Sequence, residues 1–449
     1  MKQRLVVIGN GMAGMRTVEE LLSAAPGKYD ITVFGAEPYG NYNRIMLSSV
    51  LCGEKTIEDI VINSRQWYID NGITLHAGEG KAVVYIDRKK KDVYAQDGTV
   101  AGYDRLLIAT GSKAVIAPIP GNDLEGVISF RDIFDVNKML TYSRSHKKAV
   151  VLGGGLLGLE AANGLVLRGM DVTVIHNHEV LLNRQMDRKS AKMLQAELEQ
   201  RGLKFRLAAN VKQLLGDESG HITGVSFDDC MAATAPGSLA AFPPSMGGRS
   251  GGRAPTVGAL GDEGAVAEDG SKLECDLFVM AIGVRPNMAL AQEAGIYCER
   301  GIVVNDTLQS YDPSIYAVGE CIQHRGATFG LVAPLFEQAK VCANHLSAHG
   351  AAEYVALPTA TKLKVTGINL FSVGNFLGDE SSDSIHFTDP ALGIYKKLVI
   401  KANRLIGAVL YGDTTDGGWY QELLEKEENI SGIRDALIFG KNYAQNSCP

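Results

Sequence analysis

No two of the seven cysteines form a C-x-x-C pair, so the sequence lacks zinc and iron–sulfur ligand spacing and carries no redox dithiol motif. The set is odd in number and scattered (Cys52, Cys230, Cys275, Cys298, Cys321, Cys342 and Cys448), which suits a reducing cytoplasm better than a disulfide framework. Basic charge is also missing. The net charge is −7, so no cationic field exists to hold a nucleic-acid backbone. Long apolar runs are absent too. Leu5–Ile8 is too short for the core of a signal peptide, and the stretch from Ala149 to Leu167 is interrupted by glycines, Glu160 and Asn163. These features predict a cytoplasmic protein with neither a nucleic-acid nor a membrane partner. What the chain does have is length and glycine. At roughly 150 residues per domain, 449 residues suggest about three domains, and 45% hydrophobic with 21% charged residues is globular composition.

The 51 glycines matter by position. Leu5-Val6-Val7-Ile8 reads as a buried parallel strand and runs directly into Gly9-Asn10-Gly11-Met12-Ala13-Gly14. A helical pattern follows (Val18, Leu21, Leu22), then a second strand, Ile31–Phe34, with Glu37 just beyond it. This is the order a dinucleotide site requires. The first glycine makes the tight turn, the second admits the pyrophosphate, the third lets helix and strand pack, and an acid about 20 residues on can hold a ribose hydroxyl. The pattern recurs: Ala149–Leu152, then Gly153-Gly154-Gly155-Leu156-Leu157-Gly158, a helix from Glu160 to Arg168, and Val172–Ile175. Gly153, Gly155 and Gly158 take the three glycine roles, and Leu157 lies between them. His176 closes the second strand, where a simple NAD site would place Asp or Glu. It is read either as a solvated loop residue or as a ribose or phosphate contact, so NADH and NADPH both stay open. Two fingerprints in one chain imply two dinucleotides, most economically a flavin and a nicotinamide.

Three strand-to-turn steps fit that pairing: Asp104 to Ser112, through Ala109-Thr110-Gly111; Leu277 to Asn287, through Gly283; and Ser314 to Cys321, through Gly319-Glu320. In this order the residues resemble the two-dinucleotide flavoprotein reductases of the pyridine nucleotide–disulfide oxidoreductase superfamily, over nearly the full length. Ala109-Thr110-Gly111, Gly153 to Glu160, Gly283-Val284-Arg285-Pro286-Asn287 and Gly319-Glu320 carry the likeness. Within the superfamily the chain is most similar to the N-terminal flavoprotein half of NAD(P)H nitrite reductase large subunits. That similarity rests on Tyr42 to Ser48, Tyr316 to Cys321, Gly330 to Pro334, Thr361 to Lys364 and Gly412 to Thr415.

The resemblance implies an α/β fold with two Rossmann-like dinucleotide-binding domains, glutathione reductase-like with a split FAD domain, plus a small α+β C-terminal domain. The FAD domain would be 1–120 and 288–345. The NAD(P) domain would be 121–287, with a low-complexity insertion at 229–267 where relatives have a tight hairpin. The C-terminal domain would be 346–449, with strands Lys362 to Val373, Ile394 to Lys401 and Leu405 to Tyr411 and a helix around Gln421 to Glu428; such a domain can carry a homodimer interface. The insertion, dominated by Gly, Ala, Pro and Ser, reads as a surface loop; a docking segment using Arg249 and Arg253 is the sharper alternative.

By the same carry-over, Arg44 and Ser48 sit beside the flavin, Glu37 holds the adenosine ribose and Glu320 the ribityl hydroxyls. Glu160 orients the nicotinamide, and a helix beginning near Ala333-Pro334 aims its N-terminus at the flavin. Where disulfide-reducing members carry a cysteine pair, this chain has only Cys52, and Ser49 takes the place of the cysteine of peroxidase- and oxidase-type relatives. Ser49 joins Glu160 as a candidate catalytic residue, and thiol chemistry is disfavoured. Cys342, His345 and His349 have helical ligand spacing, but Gly350 marks them as a helix end rather than a metal site.

The chain ends at Ser447-Cys448-Pro449, without the cysteine-rich iron–sulfur and siroheme segments of the nitrite reductase large subunit. The expectation is an FAD-dependent NAD(P)H oxidoreductase passing electrons to a separate acceptor: an iron–sulfur or siroheme-containing reductase subunit, or a small electron-transfer protein, in a nitrite or nitrate reductase system. The alternatives are a stand-alone rubredoxin or ferredoxin reductase or NADH oxidase, and, in another class, a redox-sensing or assembly module.

Overall fold

The computed structural model describes residues 2–227, 272–356, 360–365 and 367–446. The expected insertion at 229–267, with Arg249 and Arg253, lies outside the described residues, as does Cys448.

Two five-stranded parallel sheets organise the chain. The first runs in the order Ile315–Ala317, Arg105–Ile108, Gln3–Ile8, Tyr29–Gly35, Thr74–Ala77. The second runs Val127–Ser129, Leu277–Met280, Lys148–Leu152, Asp171–Ile175, Lys204–Arg206. The central strands of both are continuous runs of Val, Leu and Ile. Leu5, Val7, Leu106, Ile108, Val151 and Val279 are fully buried, as strands covered by helices on both faces must be. A two-stranded antiparallel ladder, Ser112–Ala114 with Val284–Pro286, joins the segments leaving the two sheets. The strand Ile222–Phe227 pairs antiparallel with Lys272–Glu274, so the two sides of the expected hairpin do meet.

The C-terminal unit is a five-stranded antiparallel sheet, ordered Thr361–Val365, Ile368–Gly374, Arg404–Tyr411, Ile394–Lys401, Asp383–Asp389. The expected single strand from Lys362 to Val373 is two strands of a hairpin, folded at Gly367 in the left-handed region (φ 94°). The strand Asp383–Asp389, not among the expected strands, forms at the sheet edge against Ile394–Lys401. The expected helix at 421–428 starts earlier, at Gly417, and ends at Glu425. This unit docks on the second sheet's helix Arg188–Gln200. Tyr395 Oη donates to Asp187 Oδ2 at 2.6 Å and Tyr411 Oη to Glu197 Oε2 at 2.6 Å. Asp187 also caps that helix, accepting from Ser190 N–H. Among the described residues no helix is long and apolar enough to cross a membrane.

Candidate functional site

Each glycine loop sits at the carboxyl edge of its sheet, where the strands end side by side. Gly9 N–H donates to the Phe34 carbonyl at 2.8 Å and Ala109 N–H to the Ile8 carbonyl at 2.8 Å. The second loop repeats this: Gly153 N–H donates to Ile175 at 2.8 Å and Ala281 N–H to Leu152 at 2.9 Å. Gly9 and Gly153 occupy the left-handed side of φ (112° and 123°), and a Cβ on either would fall onto the carbonyl oxygen of Ala109 or Ala281. Only glycine fits there. A Cβ on Gly14 would lie 2.8 Å from the Gly9 oxygen, which is the close helix–strand packing expected of the third glycine.

Gly11 and Gly155 differ, because a Cβ on either would meet nothing within 4 Å. They cap the helices Met12–Ala24 and Leu156–Leu167. Neither helix has a side-chain cap or an acid in its first turn. Their leading N–H groups therefore face an open cradle with a positive dipole end, which fits a pyrophosphate. Met12 and Ala13 form the first turn of one such helix, and Leu157 lies in the first turn of the other.

The other turns gather around the first cradle. A Cβ on Gly319 would lie 3.0 Å from Ala13 Cβ, so the Gly319-Glu320 step lies against the helix start. Gly319 N–H donates to Gln338 Oε1 at 2.8 Å. Gln338 is fully buried on the helix Val332–Leu346, whose first turn contains Ala333 and has no acid and no side-chain cap. The Ala109-Thr110-Gly111 turn is tied to the other sheet's exit: Thr110 Oγ1 donates to the Asn287 carbonyl at 2.6 Å, and Asn287 N–H to Gly111 at 2.9 Å. The Gly283 carbonyl accepts from Val115 N–H at 3.0 Å in the same ladder.

A line of charged groups runs along this edge. Both Glu37 oxygens are engaged, one by Arg44 Nη2 at 2.6 Å and one by Tyr42 Oη at 2.6 Å. Arg44 Nη1 donates to the Arg131 carbonyl at 2.9 Å. Arg131 pairs with Glu320, whose Oε2 also accepts from Ser112 Oγ at 2.7 Å. Arg131 Nε is buried without a partner. An orphaned guanidinium N–H beside the cradle again fits an anionic ligand. Sequence reasoning missed Arg131 and Gln338. Arg131 left one signal, a basic residue just past the end of the strand Val127–Ser129; Gln338 left none.

The short helix Leu47–Cys52 packs against the helix of the second cradle. Leu51 packs on Gly164, where a Cβ would lie 2.7 Å from the Leu51 side chain. Arg168 Nε donates to the Leu51 carbonyl at 2.6 Å and Nη2 to Val50 at 3.2 Å, capping the helix C-terminus. Gripped this way, the helix presents Ser48 to Glu160, and Ser48, Arg44, Arg131, Leu157 and Glu160 line one small cavity. Burial pushes the Glu160 carboxyl up to about 7, with Ser48 opposing as a hydrogen-bond donor. Ser49, the other candidate catalytic residue, donates to Glu54 Oε2 at 3.1 Å. Consecutive residues on a helix are about 100° apart, so Ser48 and Ser49 do not share a face. Cys52 is half-buried, its thiol pushed up by burial and opposed by Asn163.

His176 is not a solvated loop residue. Its ring lies over Gly154, its Nε2 is buried without a partner, and burial pushes it down to about 4. Of Cys342, His345 and His349, the last lies beyond the helix, which stops at Leu346; Cys342 is fully buried, His345 Nε2 contacts the Ala352 carbonyl at 2.7 Å, and Ser347 holds His349.

Residues 3–234 and 254–345 match the family described as pyridine nucleotide-disulphide oxidoreductase, and residues 359–428 match the rubredoxin NAD+ reductase C-terminal domain. The chain is 43% identical over 430 residues to "Nitrite reductase [NAD(P)H]" of Bacillus subtilis, covering 96% of this chain and 48% of that protein. It is 41% identical to the "Assimilatory nitrate reductase electron transfer subunit" of the same organism, covering 97% of this chain and 51% of that protein. The chain thus spans about half the length of these relatives. A ferredoxin reductase structure from Rhodopseudomonas palustris shares the fold over all of both chains, with a TM-score of 0.79 at 20% identity. Two glycine cradles on two parallel sheets are what that family match describes in three dimensions, and the chain belongs to the pyridine nucleotide-disulphide oxidoreductase family as an NAD(P)H-dependent oxidoreductase that binds FAD.

Proposed function

We propose that this chain is the electron-input component of a nitrite or nitrate reductase system, taking hydride from NAD(P)H and passing electrons to a separate iron–sulfur or siroheme centre. The carrying observation is the match of almost the whole chain to about half of an electron transfer subunit and to about half of a nitrite reductase. The helix Leu47–Cys52 agrees with it. It offers Ser48 to the cavity and no thiol, and Cys52 is half-buried with its thiolate disfavoured.

We assign FAD to residues 1–120 and 288–345, the nicotinamide coenzyme to 121–287, and partner or homodimer contacts to the C-terminal domain 346–449. We place the protein in the cytoplasm on the strength of its scattered cysteines. When bound, the flavin supplies the chemistry that converts a hydride into single electrons. The chain's part is positioning. The Gly11 and Gly155 helix starts would hold the two pyrophosphates, and Arg131, Arg44, Glu37 and Glu320 would bind the flavin dinucleotide. The uncapped start of Val332–Leu346 would favour negative charge on the flavin. Glu160, mostly shielded from water, orients the nicotinamide carboxamide. Hydride transfer needs no general base, so geometry dominates.

The test is anaerobic stopped-flow bleaching of the FAD-loaded protein by NADH, then reoxidation by an iron–sulfur acceptor. Fast bleaching followed by reoxidation that is quick with the acceptor and slow in air supports the reading; catalytic discharge in air refutes it. The second reading, a rubredoxin reductase, is favoured by the C-terminal domain match. It predicts turnover with rubredoxin at a rate at least equal to any siroheme partner.

A further inference from the structure

The helix Leu47–Cys52 belongs by sequence to the first sheet's half of the chain, because Tyr29–Gly35 and Thr74–Ala77 flank it and pair with each other. Its apolar side chains are buried elsewhere. Leu47, Val50 and Leu51 share the core around the second sheet with Leu159, Ala162 and Leu165 of the helix Leu156–Leu167. One half of the chain thus reaches into the core of the other.

The two helices meet rung by rung. Glu160, Gly164 and Arg168 are spaced by four residues, which on a helix makes one stripe. Facing that stripe, in order, are the Ser48 hydroxyl, the Leu51 side chain and the carbonyls of the last turn of Leu47–Cys52. The middle rung is a leucine on a bare glycine, an apolar contact without direction. The last rung is directional. Arg168 Nε donates to the Leu51 carbonyl at 2.6 Å and Nη2 to the Val50 carbonyl at 3.2 Å, so a planar fork fixes both the height and the rotation of the short helix. Gly53 ends that helix at a φ of 85°, and a Cβ on it would lie 3.0 Å from Arg168 Nη2. The guanidinium therefore fills the space against the turn. Arg168 does not line the cavity that holds Ser48 and Glu160. It lies eight residues from Glu160, about 12 Å along the helix axis at 1.5 Å per residue.

We propose that Arg168 is a positioning residue for hydride transfer: by locking the end of Leu47–Cys52 to the end of Leu156–Leu167, it holds Ser48 on Glu160 two rungs away. The inference rests on the proposed function, in which Glu160 orients the nicotinamide. The step served moves one hydride, two electrons with a proton, from NADH to the flavin, and NADH leaves as NAD+.

Anaerobic stopped-flow on the FAD-loaded full chain separates the limiting rate of flavin bleaching from the half-saturating NADH concentration. Arg168→Met keeps the alkyl stem and loses the fork. Its limiting rate should fall by about tenfold, as a misplacement of less than 1 Å would produce, while half-saturation stays within about twofold of wild type. Arg168→Lys, which restores one donor, should regain part of the rate. Ser48→Ala should slow bleaching as well. Because Arg168 acts through Ser48, the double variant should be no more than about twofold slower than the slower single one. Losses that multiply, or either single variant within about twofold of the wild-type rate, overturn the proposal. If Arg168→Met does not fold, Arg168→Lys is carried through the same cycle, and the same two results overturn the proposal. A wild-type flavin that NADH does not bleach is a different result: it removes the proposed function and, with it, the step that Arg168 would position.

Discussion

Glu160 allows a worked prediction, because its environment sets both a sign and a size. Its carboxyl is pushed from an ordinary 4.5 up to about 7, chiefly by burial. That gap corresponds to at most about 3 kcal/mol of differential stability. Below pH 4.5 the folded and unfolded chains are both protonated at this group and nothing is lost. Between 4.5 and 7 the unfolded chain releases its proton while the folded one keeps it, so stability falls as pH rises. Above 7 the folded protein carries the full cost of a buried carboxylate. Glu160→Gln has the same shape and no proton to release. The variant should therefore match wild type near pH 4.5 and exceed it at pH 8. Because the group sits on the helix Leu156–Leu167, local amide hydrogen exchange there is the suitable assay. After correction for intrinsic rates, protection of that helix in the variant should exceed wild type by up to about 100-fold at pH 8 and be equal at pH 4.5. Equal protection at both pH values, or a variant less protected at pH 8, would refute the argument that burial dominates this carboxyl.

Three further outcomes follow from the local surroundings. Gly153→Ala places a methyl on the Ala281 carbonyl at a φ of 123°, which should cost roughly 3 kcal/mol or more in thermal stability; Gly155→Ala, facing open space, should leave the melting temperature within about 1 °C of wild type yet raise the KM for NADH severalfold. Tyr395→Phe strips the buried Asp187 of a donor at 2.6 Å, and scanning calorimetry should find about 1–3 kcal/mol lost from the transition involving the C-terminal sheet.

The fold was legible wherever one short segment carries the whole physical constraint. Gly9 and Gly153 must be glycine because a carbonyl lies where their Cβ would be, and the strand before each loop must be apolar because it is covered on both faces. Those requirements are local, so the two parallel sheets, the helix starts at Gly11 and Gly155, and the turns at Ala109–Gly111 and Gly319 could all be read from the chain. The C-terminal sheet was less legible. Its edge strand Asp383–Asp389 holds only two apolar residues, Ile385 and Phe387, between its terminal acids, and pairing with Ile394–Lys401 fixes it as a strand. The hairpin at Gly367 reads as one strand in the sequence because Lys362–Val373 has no polar break long enough to announce a turn.

The candidate site shows the same division more sharply. Ser48 and Ser49 are neighbours of identical type, and which of them faces Glu160 depends on how the helix Leu47–Cys52 is rotated. That rotation is decided by Leu51 on Gly164 and by Arg168 on two carbonyls, more than 110 residues away in the chain. Arg131 reaches Glu320 across 189 residues and Gln338 reaches Gly319 across 19, and no periodicity records such pairs. Asn10 and Gly154 sit at the same unconstrained position of the G-x-G-x-x-G pattern, so the motif treats them alike. In space each is the complement of its strand end: Asn10 is large because Gly35 is not, and Gly154 is empty because His176 fills it. The motif thus identifies two dinucleotide loops. The residues it leaves free, read against their partners on the adjoining strand, are the ones that distinguish the packing of one loop from that of the other.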